Sequence, residues 1–372
     1  MPPLDAPLGS DPTRWQVRPR SSHRQTFARR GTAAWLLAVF LVMLLPSPVP
    51  AQDLGKPYWL EQAIGTRFTS RRDNGPMMQL LQPLVRDAGE ATVQVVCGGK
   101  PVSLGMVVSP EGFVLTKRSE LTEEPLRVRL ADQRLLTARL VATRRTSDLA
   151  LLAVEGLQQI EPLQFSETSP AVASFLVSVG RGGRPIGLGV MGVLPREVKH
   201  VGRLGVVLRD DGQGRARVEG VWPESGADEA GMLAGDRIIA VDDQPTAGRE
   251  AVIAILRDRY PGERVRLTIA REEESLQIKA LIRDFSLLQE SENDARVNGA
   301  RSKRLSGFEQ VFQHDTPLEP DQCGGPILDS QGRVVGMNIA RAGRVITYAI
   351  PASLLDQHLA SLLQEAQSRS DE

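Results

Sequence analysis

Cys323 stands before Gly324-Gly325-Pro326 in this 372-residue sequence, and that grouping could do covalent chemistry. A thiol can attack a carbonyl, and backbone N–H groups of a glycine-rich loop can receive the oxyanion that forms. The attack needs a base within hydrogen-bond reach, because an unperturbed thiol is only a few per cent thiolate at neutral pH. Four histidines are available: His23, His200, His314 and His358. His314 stands nearest in sequence, nine positions before Cys323. A second cysteine, Cys97, permits a Cys97–Cys323 disulfide in an oxidising compartment, provided that the two Cα atoms lie close. No cofactor or metal is expected.

Composition narrows the class. Lys+Arg and Asp+Glu balance at 45 each, so no global field points to nucleic acid as a partner. Aromatics are 4% and glycines number 34, which suits strands and turns better than a helical bundle. Residues 1–30 carry six arginines, and an apolar stretch follows from Ala33 to Leu45. Thirteen apolar residues are short for a membrane span but fit the core of a signal peptide. Val49 and Ala51 precede the expected cut, so residues 1–51 read as a signal and the chain as periplasmic or otherwise exported. Membrane anchoring by residues 33–45 is the alternative.

Residues 52–84 read as an irregular N-terminal arm. Short strands then recur from Thr92 to Leu194, with Gly98-Gly99, Pro110-Glu111-Gly112 and the Gly180–Pro185 stretch as turns. That spacing implies a sandwich or barrel. Between Gly202 and Leu281 the texture changes to a small mixed domain with its own helix, where Val252, Ile255 and Leu256 share a face. Residues 284–305 are charged and read as a linker. Strands resume at Pro326, and an amphipathic helix with Leu354, Leu355, Leu359, Leu362 and Leu363 closes the chain.

Several motifs then resemble one family. Asp321-Gln322-Cys323-Gly324-Gly325-Pro326 has the frame of a trypsin-like nucleophile loop, with cysteine at the serine position and Asp321 in place of an oxyanion-hole glycine. Thr146-Ser147-Asp148-Leu149-Ala150 matches the segment of the triad aspartate. Leu115-Thr116-Lys117-Arg118-Ser119 matches that of the triad histidine, with Ser119 in its place. Gly202-Arg203-Leu204-Gly205-Val206 and Ala234-Gly235-Asp236-Arg237-Ile238 resemble a PDZ domain. The chain is thus similar to the HtrA/Deg family of exported trypsin-like proteases.

The resemblance implies a mostly β fold: a trypsin-like double β-barrel with an inserted PDZ domain. The first barrel and the start of the second would span 85–200, the PDZ domain 201–283, and the rest of the second barrel with the C-terminal helix 306–372. It places Ser119, Asp148 and Cys323 at triad positions and Asp321 at the oxyanion position, with no histidine as general base. It implies a peptide groove formed by Arg203, Leu204, Gly205 and Val206 facing Val252, Ile255 and Leu256. The expected function is a binding protein, catalytically inactive, that captures polypeptide C-termini or unfolded segments, or regulates related proteases by co-assembly. Homo-oligomers are usual in the family. The alternatives are an endopeptidase of protein quality control using Cys323, and a redox-sensitive scaffold using the two cysteines. Reverting Cys323 to serine alone is expected to stay silent; reverting Ser119, Asp321 and Cys323 together is expected to restore weak cleavage at most.

Overall fold

The computed structural model describes residues 72–368, apart from residue 158. The expected signal at 1–51, the apolar stretch at 33–45 and most of the expected arm lie outside the described residues. Among the described residues, no helix is long and apolar enough to cross a membrane.

A helix α1 (Gly75–Glu90) opens the described chain, where the sequence reads as irregular up to residue 84. Pro76 sits in its first turn and Pro83 inside it, which breaks the apolar period that would have revealed it. Asn74 caps the helix by accepting from the Met77 N–H at 2.9 Å. Packing of Val85 and Ala88 onto Val177, Val179 and Leu328 supplies what propensity does not.

Six strands close the first barrel: β1 (Thr92–Cys97), β2 (Lys100–Val107), β3 (Phe113–Lys117), β4 (Leu126–Arg129), β5 (Leu135–Arg144) and β6 (Leu149–Val154). They pair in the order β1-β2-β3-β6-β5-β4 around Val93, Val95, Val114, Val128 and Leu152. Each such side chain, fully buried, contributes roughly 1.5–3 kcal/mol. Two more strands, β7 (Phe175–Gly180) and the long β8 (Arg184–Val198), begin the second barrel.

The chain then leaves the barrel through β9 (Gly202–Arg203) and builds the mixed domain. This holds β10 (Val206–Asp210), β11 (Ala216–Val221), helix α2 (Gly226–Glu229), β12 (Arg237–Val241), β13 (Gln244–Pro245), helix α3 (Gly248–Arg257), β14 (Arg264–Arg271) and β15 (Glu274–Leu281). The sheet order β10-β11-β12-β14-β15 leaves β10 on an edge. Strand β16 (Arg283–Asp284) pairs antiparallel with β9, so the insert's two ends meet.

Residues 284–305, which read as a linker, contain two short helices, α4 (Phe285–Leu288) and α5 (Glu292–Asn298), and a buried stretch around Ser302 and Arg304. Afterwards β17 (Phe308–His314), β18 (Pro326–Leu328), β19 (Val334–Gly343) and β20 (Ile346–Pro351) close the second barrel with β7 and β8. Helix α6 (Ala352–Ser368) packs Leu354, Leu355 and Leu362 into a core shared with Leu149, Leu151, Phe308 and Met337. The double barrel with a mixed domain inserted into its second half is the fold that the motifs imply.

Candidate functional site

Ser119 follows β3, and Asp148 lies in the turn between β5 and β6 with φ 56°. The two meet. The Ser119 Oγ–H donates to Asp148 Oδ2 at 2.7 Å, and its N–H donates to Oδ1 at 2.9 Å. A further cation, Arg304, stands 3.6 Å from Asp148 Oδ1, with both side chains fully buried. Ser119 therefore engages both carboxylate oxygens of Asp148, and a hydroxyl is no base at neutral pH.

Cys323 is fully buried and free, as is buried Cys97, so the permitted disulfide is not formed. Burial pushes the Cys323 thiol above its ordinary value; nearby Lys117 and a hydrogen bond from Ser302 pull the other way without prevailing. The thiol is thus protonated at neutral pH. Its loop is also turned inward. Residues Pro320–Gln322 form a 3₁₀ turn, in which the Cys323 N–H donates to the Pro320 carbonyl at 3.3 Å. An N–H spent in that way is not presented to an oxyanion. Gly324 holds φ +102°, and a Cβ there would lie 2.1 Å from the Leu104 carbonyl oxygen, so the turn admits only glycine. Asp321 is exposed on the outer side of this turn.

The cleft beside Cys323 is filled by the chain itself. Ser302 lies along β19: its N–H donates to the Arg341 carbonyl at 3.1 Å, and its Oγ accepts from the Arg341 N–H at 3.0 Å. Lys117 Nζ donates to Ser302 Oγ and to Glu120 Oε1, both at 3.2 Å. Burial opposes the Lys117 charge, but the carboxylates of Glu120 and Asp148 hold it above its usual value; Lys117 and Lys303 in turn hold Glu120 below its own against the same opposition. Gly262 of the mixed domain closes the other wall: a Cβ there would meet the Ser119 Cβ at 2.7 Å. Glu263, next to it, accepts from Arg118 at 2.8 Å and from Arg145 at 2.7 Å.

Among the described residues, no histidine hydrogen-bonds Ser119, Asp148 or Cys323. His200 bonds the Arg259 carbonyl, and His358 bonds Ser147 and Glu309. His314 is buried between Thr316 Oγ1 and Asn338 Oδ1, each at 2.9 Å. Burial pushes its pKa down to about 4, with the Asn338 bond opposing. A depressed histidine stabilises the fold above its unfolded value near 6.5 and loses that contribution as pH falls towards about 4. We expect about 3 kcal/mol of stability to disappear across that window. Urea unfolding of His314→Gln at a series of pH values checks this: its stability should fall less steeply than that of the wild type.

The mixed domain offers an open groove of about 330 Å3 between its loop at residues 202–206 and α3. Arg203, Leu204, Gly205 and Val206 line it as expected from sequence. The Leu204 and Gly205 carbonyls accept from the Ala227 and Trp222 N–H groups. Planar trans peptides then aim the N–H groups of Gly205 and Val206 the opposite way. The helix wall needs correction. Val252 is fully buried in the domain core and Ile255 packs against it; of the three expected residues Leu256 lines the groove, joined by Ile253 and Arg257. The 3.6-residue period puts 253, 256 and 257 on one face, a quarter-turn or so from 252 and 255.

Sequence reasoning missed Lys117, Ser302, Arg304 and Gly262. One signal was present for Lys117, which continues the alternation of Phe113 and Leu115 and so points inward. Among the described residues, no cluster of three or more His, Cys, Asp or Glu side chains could hold a metal ion.

The description "Trypsin-like peptidase domain" fits residues 104–222, a stretch with Ser119 and Asp148 but short of Cys323. The description "PDZ domain" fits residues 217–271. No curated protein matches the chain. Among solved structures it is similar to the inactive form of the Rv3671c protease of M. tuberculosis, with 16% identity and a TM-score of 0.39 over 78% of this chain and 96% of that one. It is also similar to the MamO protease domain from Magnetospirillum magneticum, with 16% identity and a TM-score of 0.37 over 73% and 97%. For the serine endoprotease from Yersinia pestis the values are 16%, 0.24, 54% and 96%. Such TM-scores are too low for any of the three to bear on the site.

Proposed function

With a trypsin-like peptidase domain joined to a PDZ domain as the premise, we propose that this chain binds polypeptides and does not cut them. The PDZ groove captures C-termini with an apolar last residue, and the peptidase barrels serve as a sealed scaffold. The observation that carries this reading is the contrast between two places. At the triad positions Ser119 saturates Asp148 and Cys323 is enclosed, whereas edge strand β10 and its groove stand open. An extended peptide can add to β10 by main-chain hydrogen bonds, with its carboxylate on the Gly205 and Val206 N–H groups and its last side chain against Leu204, Leu208 and Leu256. Arg203 supplies a positive charge at the loop.

Titrating the purified chain with apolar-ended peptides tests it. Free-acid peptides should bind at least about tenfold more tightly than the same peptides amidated, since hydrogen bonds to a charged group contribute about 1.5–3 kcal/mol. Equal binding of the two forms would remove the capture role. The same reading has residues 1–51 removed on export, so N-terminal sequencing of the secreted form should start near Gln52. Full-length protein in the cytosol would contradict that.

A further inference from the structure

Beside the nucleophile loop lies a second groove, of about 380 Å3, lined by none of residues 298–306. Its walls carry Gln94, Gln133, Arg181, Arg184, Asp321 and Gln322. Arg181 is fixed by donating from Nη1 to the Leu130 carbonyl at 2.5 Å. Behind it, Arg129 donates from Nη1 to the Gln94 side-chain oxygen at 3.0 Å. Among the described residues, none of Arg129, Arg181 and Arg184 pairs with a carboxylate. Of the acids nearby, Asp132 is engaged by Arg134 and Glu319 by Arg341, each at 2.6 Å; Asp321 stands on the groove wall itself and pairs with none of the three arginines. Burial and then the repulsion of Arg129 and Arg184 push the Arg181 guanidinium down. Three cations against the single carboxylate of Asp321 leave the groove net positive, and an incoming anion relieves the repulsion among them.

We propose that this groove binds an acidic polypeptide segment, whose carboxylate or phosphate groups sit between Arg181 and Arg184. Guanidinium forks suit planar or tetrahedral oxyanions, and the three amides can accept or donate to the main chain of the guest. Leu104 and Ile186, also on the walls, offer contact to its apolar stems. No aromatic ring lines the groove on which a nucleobase could stack, which disfavours single-stranded nucleic acid. The site is separate from the PDZ groove and needs no free C-terminus.

Fluorescence anisotropy on the purified chain tests the proposal, with C-terminally amidated oligoglutamate as probe so that the PDZ loop has no carboxylate to take. A phosphoserine peptide and an oligoglutamine peptide serve as comparisons. Binding of oligoglutamate should weaken with salt, and Arg181→Gln with Arg184→Gln should weaken it at least about tenfold. Arg203→Gln, in the PDZ groove, should leave it unchanged. Because Arg184 is exposed, Arg184→Gln alone keeps the fold and should already weaken binding several-fold. Binding of the phosphoserine peptide alone would still support the site and assign phosphate as its ligand. Unchanged affinity in the double variant, equal weakening by Arg203→Gln, equal binding of oligoglutamine, or no binding of either anionic peptide would each overturn it.

Discussion

Casein should remain uncut by the wild-type chain, by Cys323→Ser, and by Cys323→Ser combined with Ser119→His and Asp321→Gly. The triple change restores the residue types of a triad and oxyanion loop but not the room they need. An imidazole at position 119 would point into a space bounded by Gly262, which lies so close that a Cβ there would meet the Ser119 Cβ, and by Arg304 beside Asp148. The new serine would stay under Ser302 and Lys117. Its N–H would stay bonded to the Pro320 carbonyl unless the 3₁₀ turn reopened. Triad members act as a unit, and removal of the base alone costs on the order of 10⁶ in turnover. The expected rate is that of casein in buffer. Turnover by the triple variant that vanishes when Cys323→Ala replaces Cys323→Ser would show that residues 298–306 and the PDZ loop move aside.

Arg304→Ala should lower the melting temperature by about 10 °C. The guanidinium donates to the carbonyls of Arg145 at 2.6 Å, Ser306 at 3.1 Å and Gly307, and it lies 4.4 Å from the Tyr260 ring centroid and 4.9 Å from that of Phe308. Its loss takes a charged donor from each of those oxygens and the cation from Asp148, and it leaves a void between two rings. Removing one member of a buried charged pair typically costs about 3–5 kcal/mol, and each kcal/mol moves the midpoint by about 2–4 °C in a domain of this size. Arg304→Lys should rescue little, because an ammonium cannot span three carbonyls in a plane. Thermal melts of the two variants decide: recovery by lysine would reduce the role of Arg304 to its charge.

The sequence motifs carry the double barrel and the inserted PDZ domain because each depends on local patterns: glycine turns, alternating strands and one short helix. Ser119, Asp148 and Cys323 were singled out from local motifs in the same way, and the structure brings the first two into contact. What seals the site was not legible. Ser302 and Arg304 lie in a charged run, where composition argues for solvent, yet both are buried by partners 39 to 185 positions away. Burial of that kind is a tertiary fact with no periodicity to announce it. Helix α1 was hidden by Pro83, and two of the three residues expected on the helix wall of the PDZ groove, Val252 and Ile255, face the core, where the most regular apolar face is turned.

The paired ends of the insert bear on how the chain comes off the ribosome. Phe308 of β17 pairs with Val198 of β8, 110 positions earlier, so the second barrel is left half-made while the PDZ domain is synthesised. With the insert unfolded, closing that loop carries an entropic cost of about 4 kcal/mol beyond a constant. Once the insert has folded, β9 and β16 hold its ends together, and the effective loop shrinks to the few residues before Gly202 and those after Asp284. That lowers the closure cost by about 1 kcal/mol. The PDZ domain is therefore a splint for barrel assembly, and a lesion deep in its core should slow the barrel's folding even where no barrel residue has changed.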